Sequence, residues 1–305
     1  MPVIIRLWLV PEYDVCLSLR NAPEQGWFLA LASRLDPVWA DTLHAQDVPP
    51  TPITLRPYTV SPFYCPPRTP LSLDDTIGEY ALPILSGDTE SRFVAGGSAI
   101  ALRISLVDDD RAAHLLSALR QIVKQGLPPL GGVRCKLLRI PTFVGEDPDV
   151  LTASWEDLIA APAAARLHLA FTTPAHFSSQ GDQILFPDPA RLWSGWWRVW
   201  RRWCPFPLPL ADPLHDALTS TLPAALVAHL PRISAYNLHT RPVRLKQGLF
   251  IGFMGEVELD WRRDTPHEVS RALTTLAGLA DFVGTGAKTT MGMGQTRLRI
   301  LEREA

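Results

Sequence analysis

The chain opens on an alternating run, residues 3 to 10, rich in Val, Ile and Leu, which predicts a β-strand. The period then changes to a helical one. Gly26 to Leu35 is apolar and helix-forming, and Asp36-Pro37 supplies an N-cap and a first helical residue for a short helix ending near His44. Ile53 to Phe63 and Phe93 to Val107 read as strands, the second with Gly96-Gly97 permitting a bulge. Asp109 or Asp110 caps the next helix, which has one face of Leu115, Leu116, Leu119, Ile122 and Val123 and is stopped by Gly126. Gly132 to Phe143 closes the set as a strand. The order is β-α-β-β-α-β, the ferredoxin-like pattern.

Gly145 to Ala165, with small residues around one short helix, is the candidate linker, and the same order then returns. Arg166 to Thr173 is a strand, and helices follow at Asp188 to Trp203 and Pro213 to Leu230. Arg232 to Lys246 and Leu249 to Trp261 form a long hairpin around Gln247-Gly248. Thr265-Pro266-His267-Glu268 reads as a capping box with proline at the first helical position. Val269, Ala272, Leu273, Leu276 and Ala280 continue that helix's apolar face, and Arg297 to Leu301 is the last strand. The expected fold is therefore α+β: two tandem ferredoxin-like (RRM-like, βαββαβ) domains, residues 1–145 and 146–305. A length of 305 residues agrees, since a single core rarely grows that large.

Composition adds exclusions. With 47% hydrophobic and 20% charged residues the chain is globular, and no apolar run of 18 residues suggests a membrane span. The first residues lack a signal peptide's basic region and cleavage site, so a cytoplasmic location is expected. Cys16, Cys65, Cys135 and Cys204 lie too far apart for a zinc or disulfide framework and read as buried free thiols. The eight histidines lack metal-ligand spacing, so neither metal nor cofactor is expected. A net charge of -2 weighs mildly against nucleic acid, yet from Arg191 to Phe250 eight basic residues face only two acids, Asp212 and Asp216.

Two segments carry unusual chemistry. Trp193, Trp196, Trp197, Trp200 and Trp203 recur at helical spacing, which reads first as a core face, and otherwise as a partner-docking or base-stacking face or a membrane-surface helix. Between the last helix and the last strand lies Gly-Thr-Gly-Ala-Lys-Thr-Thr-Met-Gly-Met-Gly, residues 284 to 294. Gly284, Gly286, Gly292 and Gly294 let the backbone approach a phosphate and expose successive N–H groups, and Lys288 adds charge. The segment is not a P-loop. That motif needs Gly-Lys and a glycine five residues earlier, where this chain has Ala287 and Phe282, and it joins a strand to a helix rather than the reverse.

Three runs together carry a family resemblance: Gly252-Phe253-Met254-Gly255-Glu256-Val257, Leu279 to Phe282, and the glycine loop ending in Gly292-Met293-Gly294. They resemble the CRISPR repeat-processing endoribonucleases of the RAMP superfamily. Gly26 to Leu31, Leu43-His44 and Arg56 to Phe63 are similar to that family's first helix, active-site histidine and second strand. Thr172 to Phe177 is similar to its motif opening the second domain. The resemblance implies metal-independent cleavage of precursor CRISPR RNA within repeats by 2′-hydroxyl attack, giving 2′,3′-cyclic phosphate and 5′-hydroxyl ends. His44 would be catalytic, with Arg20 assisting; a histidine suits because its pKa of about 6.5 lets it give or take a proton near neutrality. Arg241, Arg244 and Lys246 on the hairpin, the loop's Gly284, Gly286, Lys288, Gly292 and Gly294, and Arg56 with Tyr58 would hold the RNA. Without the family, His44 reads as a capping or surface group and the hairpin cations as a solvated face. The implied partner is CRISPR repeat RNA, with an effector complex or a homodimer beside it and no membrane. The alternatives are a non-catalytic RAMP subunit that binds crRNA in an interference complex, and an RNA-binding module unrelated to CRISPR.

Overall fold

The computed structural model describes residues 1–18, 22–44, 58–65, 82–83, 91–141, 150–208, 221–245 and 248–301. Its first half runs β1 (Val3–Pro11), β2 (Val15–Ser18), α1 (Pro23–Leu35), α2 (Pro37–His44), β3 (Tyr58–Cys65), β4 (Leu82–Pro83), β5 (Ser91–Val94), β6 (Ala99–Leu106), α3 (Asp109–Gln125), β7 (Cys135–Leu137) and β8 (Val150–Thr152). Its second half runs α4 (Trp155–Ala160), β9 (Arg166–Ala175), β10 (Phe177–Ser179), β11 (Asp182–Ile184), α5 (Pro189–Trp203), α6 (Ala224–Val227), β12 (Arg232–Leu245), β13 (Gly248–Asp260), α7 (His267–Ala277), α8 (Ala280–Val283), a 3₁₀ turn (Thr289–Met291) and β14 (Thr296–Leu301).

The first sheet is ordered β4-β3-β6-β1-β7, with β8 also on β1, and the second β12-β13-β9-β14. In each, the first and third principal strands are central and all these pairings are antiparallel, the α+β ferredoxin-like arrangement read from the sequence. Alternation explains the first core: Val3, Ile5, Leu7 and Leu9 of β1 meet Ile100, Leu102, Ile104 and Leu106 of β6 under α1 and α3. The second core sets Leu167, Leu169 and Phe171 of β9 against α5 and α7, with Trp193, Trp196, Trp197 and Trp200 buried. The tryptophan helix is thus a core helix. Three of its indole N–H groups find backbone carbonyls, Trp193 on Leu273, Trp196 on Gly284 and Trp197 on Thr221, which makes burial of so much polar-tipped area tolerable.

Several local expectations change. Gly96-Gly97 is a turn rather than a bulge, because Gly97 lies at φ 81° and sends β5 to pair with β2 instead of extending β6. Asp108, one residue earlier than expected, caps α3 by accepting from the Arg111 N–H, and Val123 faces solvent. Pro266 stands at the N-cap of α7 with no side-chain cap; the capping box lies instead at Ser154 and Asp157 in front of α4. The last strand of the first half is shorter than Gly132 to Phe143. Its pairing along β1 is shared by β7 and by β8, which lies within the segment read as linker. Cys135 is buried and Cys204 half-buried, and burial pushes both thiols up to about 11, but Cys16 is exposed. The side chain of Cys65, and residues 213–220 of the helix expected from Pro213 to Leu230, lie outside the described residues. No helix among the described residues is long and apolar enough to cross a membrane.

Candidate nucleic-acid interface

The glycine loop leaves α8 at Gly284 and enters β14 after Gly294. Its glycines are required by the loop's own folding. Gly284, Gly286, Gly292 and Gly294 lie at φ 69°, 81°, 81° and 68°. A Cβ on Gly294 would overlap the Thr285 carbonyl oxygen, and one on Gly286 the His176 carbonyl oxygen. Most loop N–H groups also turn inward. Thr285 donates to the Gly294 carbonyl at 2.7 Å, Ala287 to His176 at 2.8 Å, Gly294 to Pro174 at 2.9 Å and Met291 to Lys288 at 2.9 Å. Among the described residues the N–H groups of Lys288, Thr289 and Thr290 meet no carbonyl. Lys288, left-handed at φ 61°, leads there into the 3₁₀ turn, and such a change of hand gathers successive N–H groups into an anion-binding concavity. The N–H groups that the loop does not use for its own carbonyls are thus confined to one turn at its tip.

Both halves of the chain hold this loop. From the second half, the Trp196 indole donates to the Gly284 carbonyl at 3.0 Å, and the Thr172 to Phe177 segment cradles the loop's stems. There Thr173 Oγ1 accepts from the Gln295 N–H at 2.8 Å. Phe250 of β13 stacks on His176 with ring centroids 5.6 Å apart, and Lys288 Nζ lies 5.3 Å from the Phe250 centroid. Burial, and secondarily the Lys288 charge, lower the His176 pKa. From the first half, Gln25 Nε2 of α1 donates to Thr290 Oγ1 at 3.2 Å. Ala22, at a strained φ of 44° in front of α1, shares an apolar cluster with Met293 and with Val243 and Leu245 of the hairpin. β3 lies against the 3₁₀ turn as well.

Arginines line a cleft of about 510 Å³ between the outer faces of the two sheets: Arg6, Arg103, Arg297 and Arg299, with Asp281 the one acid on its wall among the described residues. Arg6 and Arg103 are direct cross-strand partners. Arg103 donates to Gln295 Oε1 and to the Asp281 carbonyl oxygen. Burial pushes its pKa down to about 10, opposed by Asp281 and helped by Arg297 and Arg6, so it stays charged at neutrality. Burial raises the Asp281 carboxyl, against the pull of Arg103, of the Leu298 N–H it accepts at 3.1 Å, and of Arg297.

The residues expected from the sequence fall into three groups. Gly284, Gly286, Lys288, Gly292 and Gly294 form the loop just described. Arg241 and Arg244 are exposed on β12, near the hairpin end that packs on Met293. His44 ends α2, whose start is fixed by Asp36 Oδ1 accepting from the Val38 and Trp39 N–H groups at 3.0 and 3.1 Å, and Tyr58 opens β3 opposite Leu106. The side chains of His44 and Tyr58, and the whole of Arg20, Arg56 and Lys246, lie outside the described residues. Sequence reading missed Gln25, Arg103, Gln295 and the His176–Phe250 stack. One signal was available for Arg103, the lone cation in the strand run Ala99–Leu106, on the face opposite Leu102 and Ile104.

A family model for the CRISPR-associated endoribonuclease Cas6 matches residues 169–296. The structure of Thermus thermophilus Cas6 in a product complex is 29% identical in sequence, with 98% of this chain and 99% of that chain aligned at a TM-score of 0.71. The second half thus matches the Cas6 family model, and the whole chain is similar in sequence and fold to a Cas6 protein. A second structure of Thermus thermophilus Cas6 matches at 25% identity over 98% of each chain, TM-score 0.62. A Cas6-related protein from Pyrococcus furiosus, 14% identical at a TM-score of 0.55, shares the fold. Comparison with curated proteins by sequence gives no match. The Cas6 model takes in the tryptophan helix, the hairpin and the glycine loop, while the structural likeness extends over both halves.

Proposed function

We propose that this chain cleaves precursor CRISPR RNA within its repeats, without a metal, by attack of a ribose 2′-oxygen on the adjacent phosphorus. As a CRISPR RNA-processing endoribonuclease it matches the Cas6 proteins in family and fold. The observation that carries the finer reading is the junction itself. A second-half loop with a charged lysine and N–H groups not used by its own carbonyls is tied to the first-half helix that leads directly into α2 and His44.

In this reading the first domain supplies the chemistry and the second the grip. The P–O5′ bond breaks as the 2′-oxygen bonds to phosphorus, the 2′-proton leaves to a base and the 5′-oxygen takes up a proton. The ends are a 2′,3′-cyclic phosphate and a 5′-hydroxyl. His44 serves the proton transfer, and Arg20 offsets the charge that gathers on the phosphorane, an effect worth a few kcal/mol in such sites. The Lys288–Thr290 turn, with Gly284, Gly286, Gly292 and Gly294 shaping it, holds a phosphate. Arg241, Arg244 and Lys246 track the backbone, and Arg56 and Tyr58 contribute to holding the RNA. Repeat RNA incubated with the protein in EDTA, with both product ends mapped, tests the mechanism. Cyclic-phosphate ends formed at full rate are expected, and activity that disappears with EDTA contradicts it.

A further inference from the structure

Asp281 lies three residues before Gly284, and Gln295 directly follows Gly294, so these two residues mark the two stems of the glycine loop. A single side chain from the other half reaches both. The Arg103 guanidinium, projecting from β6, gives one nitrogen to Gln295 Oε1 and the other to the Asp281 carbonyl oxygen. The acceptors are themselves fixed. The Gln295 N–H donates to Thr173 Oγ1, the Gln295 carbonyl accepts from the Thr172 N–H at 2.9 Å, and the Asp281 carboxylate accepts from the Leu298 N–H. The fork therefore joins the first sheet to a rigid frame at the loop's base, opposite the Gln25–Thr290 bond at its tip. Only a planar guanidinium meets two acceptors in this way; an ammonium acts as a point charge.

We propose that Arg103 is a positioning residue for RNA cleavage, a two-pronged strut that sets the glycine loop of the second domain against the catalytic helix end of the first. The inference rests on the nuclease reading above. A phosphate held by the loop must lie in line with groups carried by the other domain, and a misplacement of about 1 Å can cost on the order of 100-fold in rate. The strut accordingly acts on the chemical step. It also accounts for an arginine placed directly across from Arg6, a pairing of like charges that a sheet otherwise avoids.

The test uses Arg103→Met, which keeps the length and removes the fork, and Arg103→Lys, which keeps the charge. Single-turnover cleavage of repeat RNA is measured as a function of protein concentration. With Arg103→Met the saturating rate is expected to fall by about 30-fold while the half-saturation concentration moves less than about 3-fold. Arg103→Lys is expected to recover only part of that loss. A loss confined to half-saturation, or full recovery by lysine, overturns the proposal, because each marks Arg103 as an RNA-contacting charge. Hydrogen exchange on the RNA-free protein separates this question from the nuclease reading. The Thr285, Gly294 and Leu298 amides are expected to exchange at least about 10-fold faster in Arg103→Met, and unchanged exchange overturns the strut even if wild-type protein cuts no repeat. Should Arg103→Met fail to fold, Gln295→Leu removes one prong and is expected to show the same rate and exchange changes at smaller size. Unchanged behaviour there counts equally against it.

Discussion

The two halves share one strand order and differ in how they fill it. The first core is mostly aliphatic, Val, Ile and Leu of β1 and β6, with Trp27, Phe28 and Trp39 brought in by α1 and α2, while the second rests on four buried tryptophans of the single helix α5. Aliphatic side chains only fill space. An indole also carries an N–H that must find an acceptor, so a tryptophan core reaches out to fix backbone around it. Trp196 does this at Gly284, the first residue of the loop. The half that carries the loop is therefore built to stiffen it. The first half instead buries polarity of its own: Arg103 reaches across to the loop's stems, and the Glu24 carboxyl of α1 is wholly buried.

The largest expected effect breaks the stiff half at its tightest point. Gly294→Ala places a Cβ on the Thr285 carbonyl at a φ of 68°, and should lower stability by at least about 2 kcal/mol in urea titration and abolish cleavage. A Gly294→Ala protein with native stability would show that the loop is looser than described.

Core truncations sharpen the contrast between the halves. Trp196→Ala and Leu102→Ala should each cost about 2–5 kcal/mol, with the tryptophan at the upper end. Only Trp196→Ala should also speed exchange of the loop amides, because it releases the Gly284 carbonyl. Equal loop exchange in both variants would remove the special role of the tryptophan core.

The smallest effect concerns pH. Burial raises the Glu24 pKa to about 8, above its unfolded value of about 4.5, so the folded chain keeps a proton that the unfolded chain releases between those values. Stability contributed by this group is full below about pH 4.5 and declines as pH rises toward 8. Glu24→Gln should flatten that decline in thermal melts at pH 5, 6.5 and 8, and an unchanged slope would mean that Glu24 is solvated or paired.

Element order was legible because hydrophobic period reports burial directly: β1, the tryptophan helix and the long hairpin stand close to where the pattern put them. Caps and turns were less so. Asp108, Asp109 and Asp110 are chemically equal candidates, and only the entry angle of α3 selects the first. The glycines drew attention for the right reason, close backbone approach, but most of that approach is to the protein's own carbonyls. The bonds from Gln25 to Thr290 and from Arg103 to Gln295 and Asp281 span 178 to 265 residues of sequence, beyond the reach of any local pattern.

The central claim is that the chemistry belongs to the first half and the grip to the second, and His44→Ala tests it most directly. Single-turnover cleavage and equilibrium binding of the same repeat RNA should be measured side by side. The account predicts loss of cleavage with binding retained within about 3-fold. Cleavage at the wild-type rate, or loss of binding in parallel with activity, would contradict it.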